Sequence, residues 1–272
     1  MLRRRNRTQV RWLFARLLLD NMRSLLRGWL PRMTTRKMNA DSELAQYAIL
    51  AETTLQMSRW KGQEEINARR FHNMHTACTL VDGVALKPNE VFSLRRFLKD
   101  SSGKLGFQEG PVIINGEVVF ATGGSVCAVA TLVFDAALKA NLAILEKHNH
   151  STDMWGESRF IHLGGDAAYV YGRKDLKFRN SHNSDIIVKA AFDHNNMMLS
   201  CRIYALTPLP GTVRIDIRLL QEIVPPEQEG HKYRNGCIVS TRRYLRMTND
   251  RETLTYSKNE VYQPFRLRET NE

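Results

Sequence analysis

The chain has 272 residues, 43% apolar and 25% charged, which is enough apolar side chain to bury a sizeable core and excludes an intrinsically disordered protein. Its net charge of +12 points first to nucleic acid, but residues 1–38 hold eleven Lys or Arg against the single acid Asp20, so +10 of that charge belongs to an N-terminal arm. The rest is close to charge balance and carries no aromatic–basic platform, so nucleic-acid binding is not expected of it. Four cysteines (Cys78, Cys127, Cys201, Cys237) lie far apart without CxxC spacing. That spacing argues against a zinc ribbon and against a disulfide-stapled scaffold, and favours free thiols.

The arm reads as a helix. Val10, Phe14, Leu18, Met22, Leu25 and Trp29 recur at steps of three and four, with Arg16, Arg23 and Arg27 off that stripe. Arg16, Asp20, Arg23 and Arg27 interrupt the apolar stretch 12–30, so it suits neither a bilayer span nor a secretory signal. The expected setting is cytoplasmic or peripheral to a membrane. Two roles stay open: docking on the protein's own domain or a partner, and lying on an anionic membrane surface through residues 1–38.

Pro31 is expected to end this helix. Asp41-Ser42 offers a cap for a second helix over 41–60, Gly62 breaks it, and a third runs over 64–80. Turns at Asp82-Gly83 and Lys87-Pro88-Asn89-Glu90 deliver the apolar residues 91–94. Residues 110–120 read as a hairpin turning at Asn115-Gly116. A helix over 127–140 and a short strand over 142–146 follow. Strands 167–171 and 176–179 are predicted as a second hairpin, and 185–192 with 197–205 as a third. Pro208-Leu209-Pro210-Gly211 marks a boundary, beyond which 213–219, 233–240 and 254–261 read as strands.

The expected organisation is therefore an arm over 1–40, a domain over 41–207 and a β-rich extension over 208–272. The fold class is α+β: a largely antiparallel sheet and a central helix opened by a Gly-Gly-x-x-Cys turn, preceded by N-terminal helices.

That turn, Gly123-Gly124-Ser125-Val126-Cys127, carries the chemistry of interest. Two glycines permit a sharp turn and close approach to a bound group, which makes Gly123, Gly124 and Ser125 candidate substrate-binding positions. The apolar run 128–134 places Cys127 at a helix N-terminus, where free amides and the helix dipole favour a thiolate. A thiolate nucleophile needs a base. His148 and His150 follow, then Asp166 after Gly164-Gly165. Cys127 as nucleophile, His150 as base and Asp166 as orienter follow an order shared with papain-like and transglutaminase-like enzymes, and His148 joins the candidate substrate-binding positions. The plain alternative is a small buried cysteine in a core helix. A metal held by Cys127, His148 and His150 lacks ligand spacing, so neither a metal nor a cofactor is expected.

From about Asn67 to Asn180 the sequence resembles the VanW family. Residues 86–93 (Leu-Lys-Pro-Asn-Glu-Val-Phe-Ser) resemble its I-x-P-G-E-x-F-S. Gly106-Phe107 and the stretch 110–116 resemble its G-[FY] and A-x-x-[IV]-x-N-G, and the cysteine turn its G-G-G-x-C-Q. Phe134-Asp135-Ala136-Ala137-Leu138, His150-Ser151, Gly165-Asp166-Ala167 and Asp175-Leu176-Lys177-Phe178 match further family motifs. Ser125 stands where the family has its third glycine, and Ala128 where it has a glutamine able to steady an oxyanion. The resemblance implies a link to the cell envelope and glycopeptide resistance. Two functions stay open on this reading: a cysteine-dependent enzyme acting on amide bonds in peptidoglycan-type peptides, and a non-catalytic module binding a peptidoglycan peptide or a protein partner at the same turn.

Overall fold

A computed structural model describes residues 7–38, 41–98, 104–114, 117–225 and 233–267. Helix α1 (Arg7–Leu26) is ended by Gly28 rather than by Pro31. Gly28 takes φ +67°, Trp29 N donates to Ser24 O (2.7 Å) and Gly28 N to Leu25 O (2.9 Å), the two bonds of a Schellman turn. Pro31 sits inside the short 3-10 turn Leu30–Arg32, where its missing N–H is not needed.

Residues 41–60, expected as a second helix, instead hold a 3-10 turn (Asp41–Gln46) and strand β1 (Ala48–Gln56). The signal that wins is a period of two: Ala51, Thr53 and Leu55 are buried while Glu52, Thr54 and Gln56 are exposed. Burying one face of the run against the helix Cys127–Lys139 while its edge pairs with another strand outweighs its Ala-, Glu- and Leu-based helix propensity, worth only tenths of a kcal/mol per residue, about 0.7 at most.

Helix α2 (Glu64–Val81), strands β2 (Val84–Leu86) and β3 (Val91–Ser93) and the short helix α3 (Leu94–Leu98) follow. Strands β4 (Glu109–Ile114) and β5 (Glu117–Thr122) pair as the predicted hairpin; its turn, Asn115-Gly116, lies outside the described residues. Next come helix α4 (Cys127–Lys139) and strands β6 (Ala143–Glu146), β7 (Lys177–Arg179), β8 (Ile186–Asp193) and β9 (Met198–Ala205), the last two forming the third predicted hairpin.

The predicted hairpin of 167–171 with 176–179 does not form. β7 pairs instead with β3 on one side and β6 on the other. Only the turn closes, Val170 N donating to Lys174 O at 3.0 Å. The reason lies in where the first arm spends its backbone groups, which face α4 and His148 as described below.

The main sheet is antiparallel in the order β1-β9-β8-β2, with α2 and α4 packed against it. All of α4 from Ala128 to Leu138 is buried, and Leu132, Val133, Phe134 and Leu138 are fully so. Each such large side chain contributes about 2 kcal/mol of burial. Beyond Pro210, strand β10 (Gly211–Ile223), the short β11 (Tyr233–Arg234), β12 (Gly236–Met247), β13 (Glu252–Tyr262) and the short β14 (Phe265–Arg266) build a second sheet in the order β10-β12-β13. It reaches the same helix: the buried Arg243 of β12 donates Nη1 to Leu138 O (3.0 Å) and Leu142 O (2.9 Å), satisfying carbonyls at the end of α4. This fixes the height of the second sheet over the N-terminal end of α4, where the candidate site lies.

Candidate active site

The β4–β5 hairpin runs directly into the glycine turn. Gly123 takes φ +77° and donates its N–H to Gln108 O (2.9 Å). Gly124 crosses the hairpin so closely that an added Cβ would lie 2.1 Å from the backbone of Gly110. The fully buried Asn73 of α2 locks the crossing: its Nδ2 donates to Gly124 O and Gln108 O, both at 2.9 Å, and its Oδ1 accepts Gln108 N at 2.8 Å. The two glycines thus serve the shape of the turn. Ser125 follows at φ +76°, a left-handed conformation that glycine adopts freely and serine only at a cost.

Cys127 is the first residue of α4, and its N–H meets no acceptor among the described residues. One turn later comes Thr131. These two side chains, spaced i and i+4 on one face, receive the segment 166–169. Thr131 Oγ1 accepts Ala167 N (2.9 Å), and Cys127 Sγ accepts Tyr169 N (3.4 Å) and lies 3.5 Å from Tyr169 O. Ala168 N is taken by His148 O (2.7 Å). Residues 167–169 therefore have their amides committed to α4 and to His148, which is why no strand partner can pair with them.

His150 is brought to the same point. Asp166 Oδ2 receives both the His150 backbone N–H (2.8 Å) and His150 Nδ1 (2.6 Å). The imidazole also acts on the Cys127 thiol, each shifting the titration of the other. Trp155 stands edge-on to the ring at 5.1 Å. The other oxygen of Asp166 accepts the hydroxyl of Tyr262, at the end of β13, and that hydroxyl accepts Gly164 N at 2.9 Å. Lys147, buried among these groups, pairs with the buried Glu260 of the same strand (2.5 Å) and donates to Gly164 O (3.1 Å). The result is a buried chain of hydrogen bonds from His150 through Asp166 to Tyr262, with the Cys127 thiol acting on its His150 end.

The electrostatics follow from this packing. Burial alone would raise the Cys127 pKa, but the His150 hydrogen bond and charge, the Tyr169 amide and the nearby Lys174 outweigh it and hold the thiol below its ordinary value. Burial would lower His150, yet its bonds to Asp166 and Cys127 push it up to about 9. Asp166 is buried too, and the His150 bonds and charge with Lys147 hold its carboxyl far below the usual carboxylate range. The three groups thus favour charge on all of them: the thiol is pulled toward the thiolate, the imidazole toward the imidazolium, and the carboxyl toward the carboxylate. The other three thiols behave oppositely: burial raises Cys78 to about 12 and also raises Cys201 and Cys237.

His148 is not part of this group. Its half-buried side chain bonds Glu146 at 3.0 Å, while its backbone carbonyl supports Ala168. Ala128 is buried in the helix and brings no hydrogen-bond donor to the site. Asp166, Tyr262, Trp155 and Arg159 line a shallow cleft next to the His150–Asp166 bond. Sequence reasoning missed Asn73, Thr131, Tyr262 and Glu260. Thr131 was findable, lying one helical turn from Cys127; the two residues of β13 carry no local signal.

The fold and site define an α+β protein with a cysteine–histidine–aspartate triad at the start of a buried helix. Comparison with known proteins gives the family. Residues 69–203, about half of the chain, match the family model described as VanW like protein, and the chain belongs to that family. It is 27% identical over 134 residues to the Bacillus subtilis protein YoaR, itself uncharacterized, a match covering 49% of this chain and 43% of YoaR. It is 28% identical over 112 residues to the vancomycin B-type resistance protein VanW of Enterococcus faecalis, covering 41% of each. The chain thus spans well under half the length of these two relatives. No solved structure matches it. Cys127, His150 and Asp166 lie inside the matched segment and Tyr262 outside it.

Proposed function

We propose that this chain is a cysteine-dependent acyl-transfer enzyme acting on amide bonds of peptidoglycan-type peptides. The observation that carries the reaction class is the Cys127–His150–Asp166 chain, with the thiol pKa held down and the imidazole pKa held up at a helix start. The substrate class leans on the name of the Enterococcus faecalis relative.

In the proposed cycle the Cys127 thiolate attacks the amide carbonyl, and the carbonyl π pair moves onto oxygen. The unpartnered Cys127 N–H at the positive end of α4 is the backbone donor available to that oxyanion. As it collapses, the C–N bond breaks, the His150 imidazolium gives its Nε2 proton to the leaving amine, and a thioester remains on Cys127. A water or amine then loses its proton to His150 and attacks the thioester; the C–S bond breaks and the thiolate returns. Asp166 keeps its own negative charge throughout and orients the ring.

Incubation with a peptidoglycan stem peptide followed by intact-protein mass spectrometry tests this reading. An acyl adduct on Cys127, removed by hydroxylamine and absent from Cys127→Ser, is expected. Absence of both adduct and turnover, with Cys127→Ala binding the same peptide as tightly as the parent in calorimetry, would instead support a binding module. Ala128, which leaves the site without a side-chain oxyanion donor, is what favours that second reading.

A further inference from the structure

Helix α1 docks on the domain by a narrow mixed face of two leucines, an aspartate and a serine. Asp20 reaches into the buried cluster around Lys177, with both carboxylate oxygens 3.0 Å from Lys177 Nζ, and pairs with Arg95 at 2.6 Å. Ser24, one turn on, is buried and lies 3.4 Å from the same Lys177 Nζ. Leu13 and Leu17, on the same face, rest against Gly172. These four positions fall within a narrow arc of a 3.6-residue helix, and what remains is the opposite arc.

That arc is apolar and uncovered. Leu18 is 63% exposed and Leu26 85%, and Trp12, Leu19, Met22 and Leu25 are each about half exposed or more. Six large apolar side chains on one solvent-facing helix surface form a contiguous patch of a kind monomeric proteins rarely leave bare. Arg16, Arg23 and Arg27 run along its border. Arg16 stacks over Trp12 (3.5 Å) and Arg27 over Trp29 (4.9 Å), and neither Arg23 nor Arg27 pairs with an acid among the described residues. Leu18, Met22 and Leu25 of the apolar stripe the sequence displayed are therefore spare, the domain having taken another side of the helix.

We propose that the outward face of α1 lies on an anionic phospholipid surface. The patch supplies apolar side chains for insertion at the headgroup boundary, with a tryptophan at its rim, and the flanking arginines supply attraction to lipid phosphate. Their charge makes lipid the fitting occupant: an excess of +10 over residues 1–38 repels a second copy of the same arm and complements an anionic leaflet. The helix lies in the plane of the surface, since none among the described residues is long and apolar enough to cross a membrane. The inference is independent of the chemistry assigned to Cys127, though it sets that site beside the lipid: Gly172, which Leu13 and Leu17 touch, belongs to the loop that begins at Tyr169 and ends at Lys174, both acting on the Cys127 sulfur.

Flotation of the full chain with phosphatidylcholine vesicles, alone or mixed with phosphatidylglycerol, tests it. The parent is expected to float with the mixed vesicles only, and to be released by high salt. Leu18→Glu/Met22→Glu/Leu25→Glu, whose sites are exposed, should keep the parent's thermal melt and circular dichroism yet stay at the bottom of the gradient. Arg23→Glu and Arg27→Glu should each weaken binding by about fivefold or more, the effect of roughly one basic residue near such a surface. A parent that ignores anionic vesicles, or a triple variant that floats as well as the parent, overturns the proposal. So does a parent dimer in light scattering that the triple variant converts to monomer without any vesicle binding, which would make a second copy the occupant.

Discussion

Replacing Asp166 by Asn removes the charge on which the rest of the site depends. In the parent, both His150 hydrogen bonds to Asp166 end on Oδ2, at 2.6 and 2.8 Å, inside a region where water does not screen them. They are the strongest reason the imidazole titrates at about 9 in spite of its burial. An amide of the same shape leaves burial as the dominant influence, so the His150 pKa should fall to 6.5 or below. With a neutral imidazole beside it, the Cys127 thiol loses its cationic partner and returns to about 9 or higher. At pH 7 a thiol of pKa ~9 is about 1% thiolate, so iodoacetamide labelling of Cys127 should slow, by about a hundredfold at most. The rate–pH profile, read by peptide mapping, should have its midpoint below 9 in the parent and at or above 9 in Asp166→Asn. The carboxylate's depressed pKa also contributes stability, present above the ordinary Asp value near 3.8 and lost only as pH falls through the much lower folded value. Asp166→Asn should remove that acid-side loss while lowering stability at neutral pH. Equal profiles for the two proteins, or a parent midpoint above 9, would refute the assignment of Asp166 as the residue that sustains the ion pair.

Three further outcomes are expected. Ser125→Gly relieves a left-handed serine at φ +76° and should stabilise the protein by about 1 kcal/mol in urea unfolding, leaving Cys127 labelling unchanged. Tyr262→Phe removes the donor to Asp166 and orphans Gly164 N; it should cost about 1.5–3 kcal/mol by the same measurement. Asp20→Ala takes away the anchor to Lys177 and Arg95, and should speed tryptic cleavage at Arg23 and Arg27 while sparing the residues beyond 41.

Much of this architecture was legible in the sequence because its signals are local. The glycines and apolar run placed α4 correctly, and two of the three expected hairpins formed where alternation and turn residues coincided. The errors share one cause, a tertiary partner that no local window contains. Residues 48–56 have the composition of a helix, but β9 lies beside them and makes Thr53 face Cys201 across the ladder. Residues 167–171 have the composition of a strand, but Thr131, Cys127 and His148 claim their amides first. Pro31 was a reasonable stop signal, and Gly28 acted three residues earlier because a left-handed glycine closes a helix more directly than a proline forbids its extension. Among the candidate site residues, Cys127, His150 and Asp166 come together as their order suggested, whereas His148 faces Glu146 and the glycines serve the turn.

The division of labour across the chain bears on how the site is kept intact. Cys127, His150 and Asp166 all come from the segment matched by the family model, on α4 and the two loops that follow it. Their outer support comes from β13, beyond that segment: Tyr262 fixes Asp166, and Glu260 neutralises Lys147, which otherwise would stand as an unpaired buried cation beside them. A buried ion pair of this kind adds little net stability; it is the Tyr262 hydroxyl that commits Asp166 to one orientation and so holds the His150 ring in place. Arg243 ties the same sheet to the far end of α4, so the second sheet grips the helix at one end and the triad at the other. These strands thus support the groups around Cys127 as much as the fold, although nothing in their own sequence announces it.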